Sequence, residues 1–430
     1  MKPFRRPGPD APAETGRTPP AGARRAAQAA LNAWAGRGVL AAELIEAEAD
    51  SGSLSAADRA FLQHLVLGVL RNVSLLDHWI GELTGGRTLD KATQWLLRAG
   101  LCEMMLLDVA AHAAVNENVA LAGRAAGLVN AVLRRACRER QSMLEEMSRL
   151  PLHVRCSHPP FLVERWRRQF GNSDTEQLLR WNQEPAPVYA RLNRLHPGAE
   201  QGMAELSAAQ PEVDDFFLCK SAPIEPLRQG WCYVQDPSTM LAPRMLAAEP
   251  GMTVLDACAA PGGKSAVIAQ SMRNEGRLVA CDLPGGRLRR LEENLRRLRV
   301  TWAELLGVDW RASPGDTFPP ETFDGILLAA PCSNTGVMRR RVDVRWRISE
   351  NEFARMTALQ RRFLECCVPL LKPGGRLVYS TCSIDREENE SQVEWLQQTF
   401  PGLKCARMQT LLPQRDGVDG AFAALLIKDR

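Results

Sequence analysis

The sequence predicts a multidomain protein with an all-α bundle first, a small α+β linker domain next, and a C-terminal α/β domain built on a mostly parallel sheet. Three observations predict this order. The 430 residues are more than one ordinary hydrophobic core accommodates. Apolar residues follow a helical period up to about residue 140, and strands alternate with helices from Met245 onward. The apolar content of 45% and the charged content of 24% are typical of soluble globular domains.

Residues 1–22 differ from the rest of the chain in composition. The segment "MKPFRRPGPDAPAETGRTPPAG" is rich in Pro, Gly and Arg and has no apolar stretch, so we expect a disordered, weakly basic tail and not a secretory signal. No apolar run approaches the roughly 18 residues that span a bilayer, and we therefore expect a soluble, cytoplasmic protein. The 12 cysteines lack paired C-x-x-C spacing, which predicts reduced thiols and no metal site.

Residues 23–142 carry the pattern of a helical bundle. In "SAADRAFLQHLVLGVLRNV" the apolar side chains recur at the spacing of one buried helix face, at Leu62, Leu65, Val66, Val69 and Leu70. Ser55 and Asp58 resemble a capping box at the start of this helix. The last helix is predicted to end in four arginines, which suit either a solvated helix C-terminus or an RNA-facing patch: Arg134, Arg135, Arg138 and Arg140.

Residues 150–244 predict a small α+β domain. Prolines interrupt this segment repeatedly, "PVYARLN" is typical of a strand, and "AEQGMAELSAAQ" is typical of a short helix. We expect it to link the two larger domains.

From residue 245 to the C-terminus, the sequence predicts repeated units of strand, turn and helix. Strands are predicted in "MTVLDACA", "RLVACDL", "AELLGVD", "FDGILLAAP" and "RLVYSTCS", with amphipathic helices such as "GGRLRRLEENLRRLRV" between them. This alternation predicts a mostly parallel sheet with helices on both faces. Ligands of such sheets bind beyond the carboxyl ends of the strands. The side chains predicted at those ends are Asp256, Asp282, Asp309, Cys332 and Cys382.

The turn after the first of these strands, "DACAAPGGKS", resembles a phosphate-binding loop only in part. Cys258 occupies the position where a P-loop needs its first glycine, and the G-x-G-x-x-G dinucleotide pattern is absent from the turn. Asp282 is placed to accept hydrogen bonds from ribose hydroxyls, and Asp309 from an adenine amino group. An adenosine ligand without a pyrophosphate fingerprint favours S-adenosylmethionine. An NAD-like ligand and a fold that binds neither remain alternatives.

Several blocks carry a family resemblance. "DACAAPGGKS", "APCSNTGVMRR" with "DVRW", and "YSTCSIDREENE" resemble the signature blocks of the RNA 5-methylcytosine methyltransferases. "HAAVNENVALAG" with "AAGLVNAVLRR" resembles the NusB-like RNA-binding domain of one branch, the bacterial ribosomal RNA small subunit methyltransferase B (Sun/Fmu) group. The resemblance implies a NusB-like N-terminal bundle, a Rossmann-like class I methyltransferase domain, S-adenosylmethionine as cofactor and 16S rRNA as partner. We also expect a monomer.

The resemblance further implies the roles of two cysteines. Cys382, in the "STC" block, attacks cytosine C6 as a thiolate, and Cys332, in the "PC" block, assists release of the methylated product. Cysteine suits this chemistry because a thiolate is both a strong nucleophile and a competent leaving group. DNA cytosine methyltransferases attack with the "PC" cysteine, which leaves Cys332 as the alternative nucleophile. For each cysteine the structural alternative is a small buried apolar residue.

By the same resemblance, the cofactor loop consists of Cys258, Ala259, Ala260, Pro261, Gly262, Gly263 and Lys264. Asp282, Arg287 and Asp309 lie around the adenosine, although Arg287 equally suits a solvated helix start. Lys264, Arg339 and Arg340 are candidate phosphate partners. The target base must leave its stack, which single-stranded RNA makes less costly.

The chain departs from the family pattern at a few positions. Ala329 stands where the family has the aspartate of "DAPCS", beside the cytosine and the methyl donor, and Arg341 and Val342 replace His and Pro. Loss of such a preorganised partner costs on the order of 10²-fold in rate, so a catalytically weakened RNA-binding or ribosome-assembly factor is the alternative function. Retention of two cysteines favours the enzyme. All six histidines precede residue 197, which opposes His-dependent hydrolase chemistry in the C-terminal half.

Overall fold

The computed structural model describes residues 21–430 apart from 37, 52–53, 207–209, 212–214 and 313–316. Its described residues form two compact units. The helical unit holds residues 21–184 together with 341–347, and the sheet unit holds residues 185–340 and 348–430. The tail predicted at residues 1–22 lies outside the described residues except for its last two, where the first helix begins.

Apolar faces of the helices within residues 21–147 form a common core. The unit as a whole consists of helices. They are α1 (Ala21–Trp34), α2 (Ala41–Ser51), α3 (Ala56–Arg71), α4 (Val73–Thr84), α5 (Lys91–Leu106), α6 (Ala111–Leu121), α7 (Ala126–Met147), α8 (Leu152–Arg155), α9 (Pro160–Gln183) and α15 (Val344–Arg347). The capping box of Ser55 and Asp58 is present at the start of α3, and the predicted apolar face of α3 is buried. Within the described chain, no helix is long and apolar enough to cross a bilayer.

One prediction about this part of the chain needs correction. The arginines at 134–140 do not end their helix, because α7 continues through "MLEEM" to Met147. Arg135 instead donates to Leu83 O on α4 at 3.1 Å, and Arg140 donates to Met104 O on α5 at 3.3 Å. Residues 152–155 and 160–183, within the segment expected to hold the α+β domain, form α8 and α9 and cluster with the helical unit. Pro160 begins α9 at the first helical position, where proline needs no amide donor.

The sheet unit begins with a small antiparallel sheet, which confirms the predicted α+β domain. Its strands are β1 (Val188–Leu192), β2 (Gln210–Pro211), β3 (Phe216–Cys219) and β4 (Cys232–Val234), in the order β2-β3-β1-β4. Its helices are α10 (Ala199–Leu206), α11 (Ile224–Gln229) and α12 (Leu241–Leu246).

A seven-stranded sheet in the order β10-β11-β9-β8-β5-β6-β7 forms the rest of the sheet unit. The strands are β5 (Thr253–Asp256), β6 (Arg277–Asp282), β7 (Glu304–Gly307), β8 (Phe323–Ala329), β9 (Leu371–Thr381), β10 (Leu403–Leu411) and β11 (Ala421–Lys428), and the helices are α13 (Gly263–Ser271), α14 (Gly286–Arg297), α16 (Glu350–Cys367), α17 (Glu390–Thr399) and α18 (Pro413–Asp416). Strands β5 to β9 pair in parallel, whereas β11 runs antiparallel to β9 and β10.

The sheet is covered on both faces, as the strand–helix alternation predicted. Neighbouring residues of one strand enter different cores: Leu255 packs in the core that contains Phe363 of α16, and Val254 packs in the core that contains Leu291 of α14. From β5 the chain adds strands first on one side, through β6 and β7, and then on the other, through β8 and β9. The carboxyl ends of β5 and β8 therefore flank a topological switch point, where ligands of such sheets bind.

Candidate active site

Two cysteine thiols meet at the carboxyl edge of this sheet. Cys332 follows the end of β8 by three residues, and Cys382 follows β9 directly. Since β8 and β9 are parallel neighbours, their carboxyl ends lie side by side, and the two Sγ atoms are 3.3 Å apart. Cys332 is buried and Cys382 is partly exposed. All 12 cysteines are free thiols in this structure.

The two thiols differ in their surroundings. The hydrogen bond with Cys382 raises the pKa of Cys332 well above the ordinary value of a thiol, and burial and the charge at Cys382 raise it further. Cys332 therefore keeps its proton and can donate it in a hydrogen bond to the sulfur of Cys382. A thiolate at Cys382 gains a hydrogen-bond donor from this arrangement, and it is also the thiol that ligands can reach.

Asn334 contacts the same pair of thiols. Its side-chain Nδ2 donates to Cys332 O at 2.7 Å, and its Oδ1 lies 3.3 Å from Cys382 Sγ. The residue has a left-handed backbone with φ of 61°, a conformation that asparagine adopts more readily than most residues. The first of these contacts fixes which end of the carboxamide faces Cys382.

The segments that carry the thiols approach each other closely. Gly336 N donates to Cys382 O at 2.9 Å, and Gly420 N donates to Gly336 O at 2.8 Å. A Cβ atom on Gly336 would lie 2.7 Å from Cys382 O and 2.8 Å from Gly420 Cα. Only glycine permits this spacing between backbones.

Sequence reasoning missed a buried polar network beneath the thiols. Glu388 accepts hydrogen bonds from Ser333 and Ser383, the residues that follow the two cysteines, and from Gln360 of α16. The "YSTCSIDREENE" block contains two of these residues. A signal for them was the concentration of hydroxyl and carboxyl side chains beside a predicted buried strand end, where each polar group needs a partner.

The predicted cofactor loop connects β5 to α13. It bends at Gly262, which has a φ of +106° that glycine tolerates, and Lys264 lies in the first turn of α13. At the end of β6, the Asp282 carboxylate accepts from Ala260 N at 2.9 Å and from Leu283 N at 2.8 Å. The structure therefore joins the loop to the acid that was predicted to bind ribose.

Asp256, at the end of β5, has a buried carboxylate with an acceptor that a cofactor could use. Its side chain is completely buried, its Oδ2 accepts from Ser265 Oγ at 2.6 Å, and its Oδ1 has no hydrogen-bond partner among the described residues. Burial raises the pKa of this carboxyl to about 6. S-adenosylmethionine carries an ammonium group and ribose hydroxyls, so acidic acceptors at the ends of β5 and β6 fit it.

The remaining predicted adenosine residues lie at the same sheet edge. Arg287 Nε donates to Asp282 Oδ1 at 2.5 Å, so Arg287 pairs with the acid in this structure. Asp309 follows β7 and is bound by Arg311, with a closest contact of 2.5 Å, and this hydrogen bonding lowers the pKa of Asp309.

Two arginines that we expected to meet phosphate are already engaged within the sheet unit. Arg339 is buried and donates to Pro185 O at 3.1 Å. The Arg340 guanidinium contacts Asp236 at 2.6 Å and Asp419 at 2.5 Å. Arg339 is thus buried, whereas 25% of the Arg340 side chain is exposed, and a phosphate contact by either arginine stays a prediction.

Ala329 is the last residue of β8 and pairs in register with Ser380 of β9. It is partly exposed at the carboxyl edge, three residues before Cys332. Asp324, the nearest acid upstream on β8, accepts from Lys372 Nζ at 2.7 Å and from Thr253 N at 2.8 Å. Asp324 is thus bound at the other end of the strand and does not replace a carboxylate at position 329.

Comparison with known proteins assigns families to all three parts of the chain. Residues 243–427 match the model of the 16S rRNA methyltransferase RsmB/F family, residues 21–138 match the NusB family, and residues 158–222 match the ferredoxin-like domain of RsmF/B-like methyltransferases. The third match confirms a small α+β domain between the other two.

Curated relatives match over most of their length. The ribosomal RNA small subunit methyltransferase B of Erwinia tasmaniensis is 34% identical over 87% of this chain and 92% of its own, and that of Vibrio cholerae is 34% identical over 86% and 90%. Among solved structures, PH0851 covers 95% of this chain and 99% of its own, with a TM-score of 0.76 and 25% identity. A methyltransferase homolog from Pyrococcus horikoshii covers 64% of this chain and 97% of its own, with a TM-score of 0.56 and 27% identity.

The fold, the two strand-end thiols and these relatives agree, and S-adenosylmethionine is the cofactor. The chain belongs to the RsmB/F family of S-adenosylmethionine-dependent ribosomal RNA methyltransferases.

Proposed function

We propose that the protein methylates C5 of a cytosine in 16S rRNA, with Cys382 as the nucleophile and Cys332 as the residue that assists product release. One observation carries this assignment of roles. The two thiols are 3.3 Å apart, and the buried one, Cys332, has the raised pKa that suits a proton donor. The names of the relatives, which are small subunit ribosomal RNA methyltransferases, support the choice of RNA.

The reaction begins at cytosine C6. C5 is a poor nucleophile until the Cys382 thiolate bonds to C6, which moves electron density onto C5. S-adenosylmethionine supplies an electrophilic methyl group when it is bound, and C5 takes up that group. The hydrogen at C5 then leaves as a proton to a base in solvent, the C5–C6 double bond re-forms, and the bond between Cys382 Sγ and C6 breaks.

Cys332 acts on the last of these steps. A sulfur that leaves C6 becomes a thiolate, and a neighbouring S–H donor stabilises the charge that develops on it. The Cys332 thiol lies at hydrogen-bond distance from Cys382 Sγ, and its raised pKa keeps it protonated. We therefore assign Cys332 the role of donor to the departing thiolate, so its loss leaves the covalent adduct in place.

Ala329 is the residue that favours the alternative function, an RNA-binding or ribosome-assembly factor. Without a carboxylate at this strand end, the site lacks one partner for the cytosine ring, and a protein that only binds RNA or assists ribosome assembly has no need of that partner. The contact between the two thiols opposes this alternative, because a binding protein gains nothing from a protonated thiol held against an accessible one.

Adduct trapping tests the proposal. Purified wild type, Cys332→Ala and Cys382→Ala proteins are incubated with unmodified 16S rRNA and methyl-labelled S-adenosylmethionine and are then separated on denaturing gels. We expect Cys332→Ala to accumulate a labelled protein–RNA adduct, and we expect Cys382→Ala to give neither adduct nor methylated RNA.

The opposite pattern, with an adduct in Cys382→Ala that is lost in Cys332→Ala, transfers the attacking role to Cys332. If no protein forms an adduct or methylates RNA while RNA binding persists, the assembly-factor function replaces the enzyme. Binding is measured for each variant by filter retention of the same RNA, so that an inactive enzyme is distinguished from one that fails to bind.

A further inference from the structure

Glu388 is a buried acid that bonds the residues following the two cysteines. It ends a short 3-10 turn at residues 386–388, and its side chain is completely buried. Burial of a charge without a cation costs several kcal/mol unless hydrogen bonds replace the lost water. An acid kept at such a position therefore points to a role in the site.

The carboxylate joins the residues that follow the two cysteines. Glu388 Oε2 accepts from Ser333 N at 2.9 Å, and Oε1 accepts from Ser383 Oγ at 2.7 Å. The Ser333 hydroxyl also donates to Oε1. Ser333 is the neighbour of Cys332 and Ser383 is the neighbour of Cys382, so one side chain fixes both segments.

The hydrogen bonds of Glu388 with Ser333 and Ser383 form a clamp on the two cysteine segments. Gln360 of α16 extends this clamp to the residue before Cys332. Its Nε2 donates to Glu388 Oε2 at 2.9 Å and to Pro331 O at 3.0 Å. The segment that carries Cys332 is therefore held on both sides of the thiol. Tyr379 of β9 fixes the backbone of Glu388, because its hydroxyl donates to Glu388 O at 2.6 Å.

The hydrogen bonds favour the charged form of the acid, in opposition to its burial. Oε2 receives two N–H donors, which cannot accept a proton in return, and Oε1 faces two hydroxyls that donate to it. Burial raises the pKa of Glu388, and the bonds from Ser333 and Ser383 lower it in opposition. The negative charge of Glu388 is also among the influences that raise the pKa of Cys332, after the hydrogen bond with Cys382, burial and the charge at Cys382.

We propose that Glu388 is a positioning residue of the methyltransferase reaction, which holds the Cys332 thiol against Cys382 by fixing the residues on both sides of Cys332. This inference rests on the roles proposed above for the two cysteines. It explains why the two thiols are not equivalent although both follow strand ends: the carboxylate bonds the backbone amide next to Cys332 and only a hydroxyl next to Cys382.

A double-mutant cycle tests the proposal in the full-length protein. The variants are Glu388→Gln, Cys332→Ala and the two combined, and Glu387→Gln, an exposed neighbour, is the matched control. We expect Glu388→Gln to lower kcat on the order of 10²-fold, as misplacement of a reacting group by about 1 Å does, while the KM values for RNA and S-adenosylmethionine stay the same. We also expect it to accumulate the labelled adduct in part.

The combined variant separates positioning from general damage. If Glu388 acts through Cys332, the combined variant is no slower than the slower single variant, because residues that act as one unit are not additive. If the two losses multiply, or if Glu388→Gln turns over as fast as Glu387→Gln, the proposal is wrong. Absence of any adduct in Cys332→Ala itself would instead refute the cysteine roles, independently of Glu388.

A pH profile gives a readout that a structural role would not move. Removal of the negative charge lowers the pKa of Cys332, so the adduct should decay more slowly once the pH passes this lower pKa. We expect the alkaline limb of the decay rate to move to lower pH in Glu388→Gln and to stay in place in Glu387→Gln. An unmoved limb contradicts the assigned effect on Cys332.

Ser333→Ala provides a second test if Glu388→Gln fails to fold. This variant keeps the carboxylate and removes one hydroxyl donor on the Cys332 side of the clamp, whereas Ser383→Ala removes one on the Cys382 side. We expect Ser333→Ala to slow decay of the adduct more than its formation, and Ser383→Ala to slow its formation more. Equal effects on both steps from both variants would overturn the proposal.

Discussion

Asp256 combines complete burial with a carboxylate oxygen that has no hydrogen-bond partner among the described residues. Such an atom destabilises a fold unless a ligand satisfies it. Because the acid stands at the end of the central strand β5, beside the turn that forms the cofactor loop, we interpret it as an acceptor kept for the cofactor at the expense of stability.

Asp256→Asn should therefore stabilise the protein without cofactor and weaken cofactor binding. The pKa of Asp256 in the folded state, about 6, exceeds its ordinary value of 3.8, so the folded state binds this proton more tightly than the unfolded state does. Proton binding therefore stabilises the fold fully below pH about 4, and this stabilisation is lost as the pH rises through 6. The variant removes a cost of about 3 kcal/mol at pH 7.5. Chemical denaturation at pH 4 and 7.5, with calorimetry of S-adenosylmethionine binding, measures both effects.

The control for this prediction is the pH dependence itself. The gain in unfolding free energy should be present at pH 7.5 and absent at pH 4. A variant that is less stable than wild type at pH 7.5, or that binds S-adenosylmethionine with unchanged affinity, contradicts the account of Asp256.

Individual residues differ in how far the sequence could predict them. Cys332, Cys382 and Asp282 were predicted at strand ends, and they lie there because a parallel sheet brings the carboxyl ends of its strands to one edge. The engagement of Arg340 by Asp236 and Asp419 joins positions far apart in the chain. Local patterns in the sequence contain no signal for such pairings, so neither carboxylate was predicted as a partner of this arginine.

At the scale of elements, the separation of the thiols depends on the close contact between the segment after β8 and the segment before β11. Gly336 and Gly420 are the residues in contact, and each would place a Cβ atom within 3 Å of the other's backbone. The sequence predicted β8 and β9. It did not predict β10 and β11, of which β11 runs antiparallel to its neighbours and so lies outside the strand–helix alternation used to identify the others.

Gly336→Ala should separate the two thiols. Its added methyl group meets Cys382 O and Gly420 Cα, and neither backbone atom can move away as a flexible side chain would. We expect turnover to fall on the order of 10²-fold and the free energy of unfolding to fall by about 1–3 kcal/mol. Gly127→Ala is the matched control, because no heavy atom lies within 4 Å of its Cβ position. Equal turnover of the two variants contradicts the argument.

At the scale of the whole molecule, a segment that follows the Cys332 loop in sequence is part of the helical unit. Residues 341–347 belong to that unit, Val342 is completely buried in its core, and Trp346 Nε1 donates to Leu70 O at 2.6 Å. Arg345 donates to Ser157 O at 3.2 Å and to Asn182 O at 3.0 Å. The departure from the family pattern at position 342 thus falls on a packing position.

Val342→Ala should destabilise the helical unit selectively. Removal of two buried methyl groups leaves a cavity and lowers the free energy of unfolding by about 1–2 kcal/mol. In hydrogen exchange resolved by peptide, Val342→Ala should exchange faster than wild type in α1–α7 and at an unchanged rate in the sheet unit. The control substitution at an exposed position, Arg341→Lys, should leave the exchange rates of both units unchanged. Uniform acceleration across both units would contradict the assignment of this segment to the helical core.

The order of the three domains was predictable from hydrophobic periods and family blocks, whereas the packing of α8, α9 and residues 341–347 with the helical unit was not. Tertiary packing places α8, α9 and residues 341–347 in the helical unit. Packing between distant segments leaves no local period in the sequence. The same limit explains why the Glu388 network was missed.

Tritium release tests the central claim of cytosine-C5 methylation most directly. Unmodified 16S rRNA carrying tritium at C5 of its cytosines is incubated with the protein and methyl-labelled S-adenosylmethionine, and the tritium lost to water is compared with the methyl groups gained. The account predicts one tritium released for each methyl group transferred by wild type, and neither by Cys382→Ala. Methyl transfer without tritium release would contradict it, because the methyl group would then lie elsewhere than on cytosine C5.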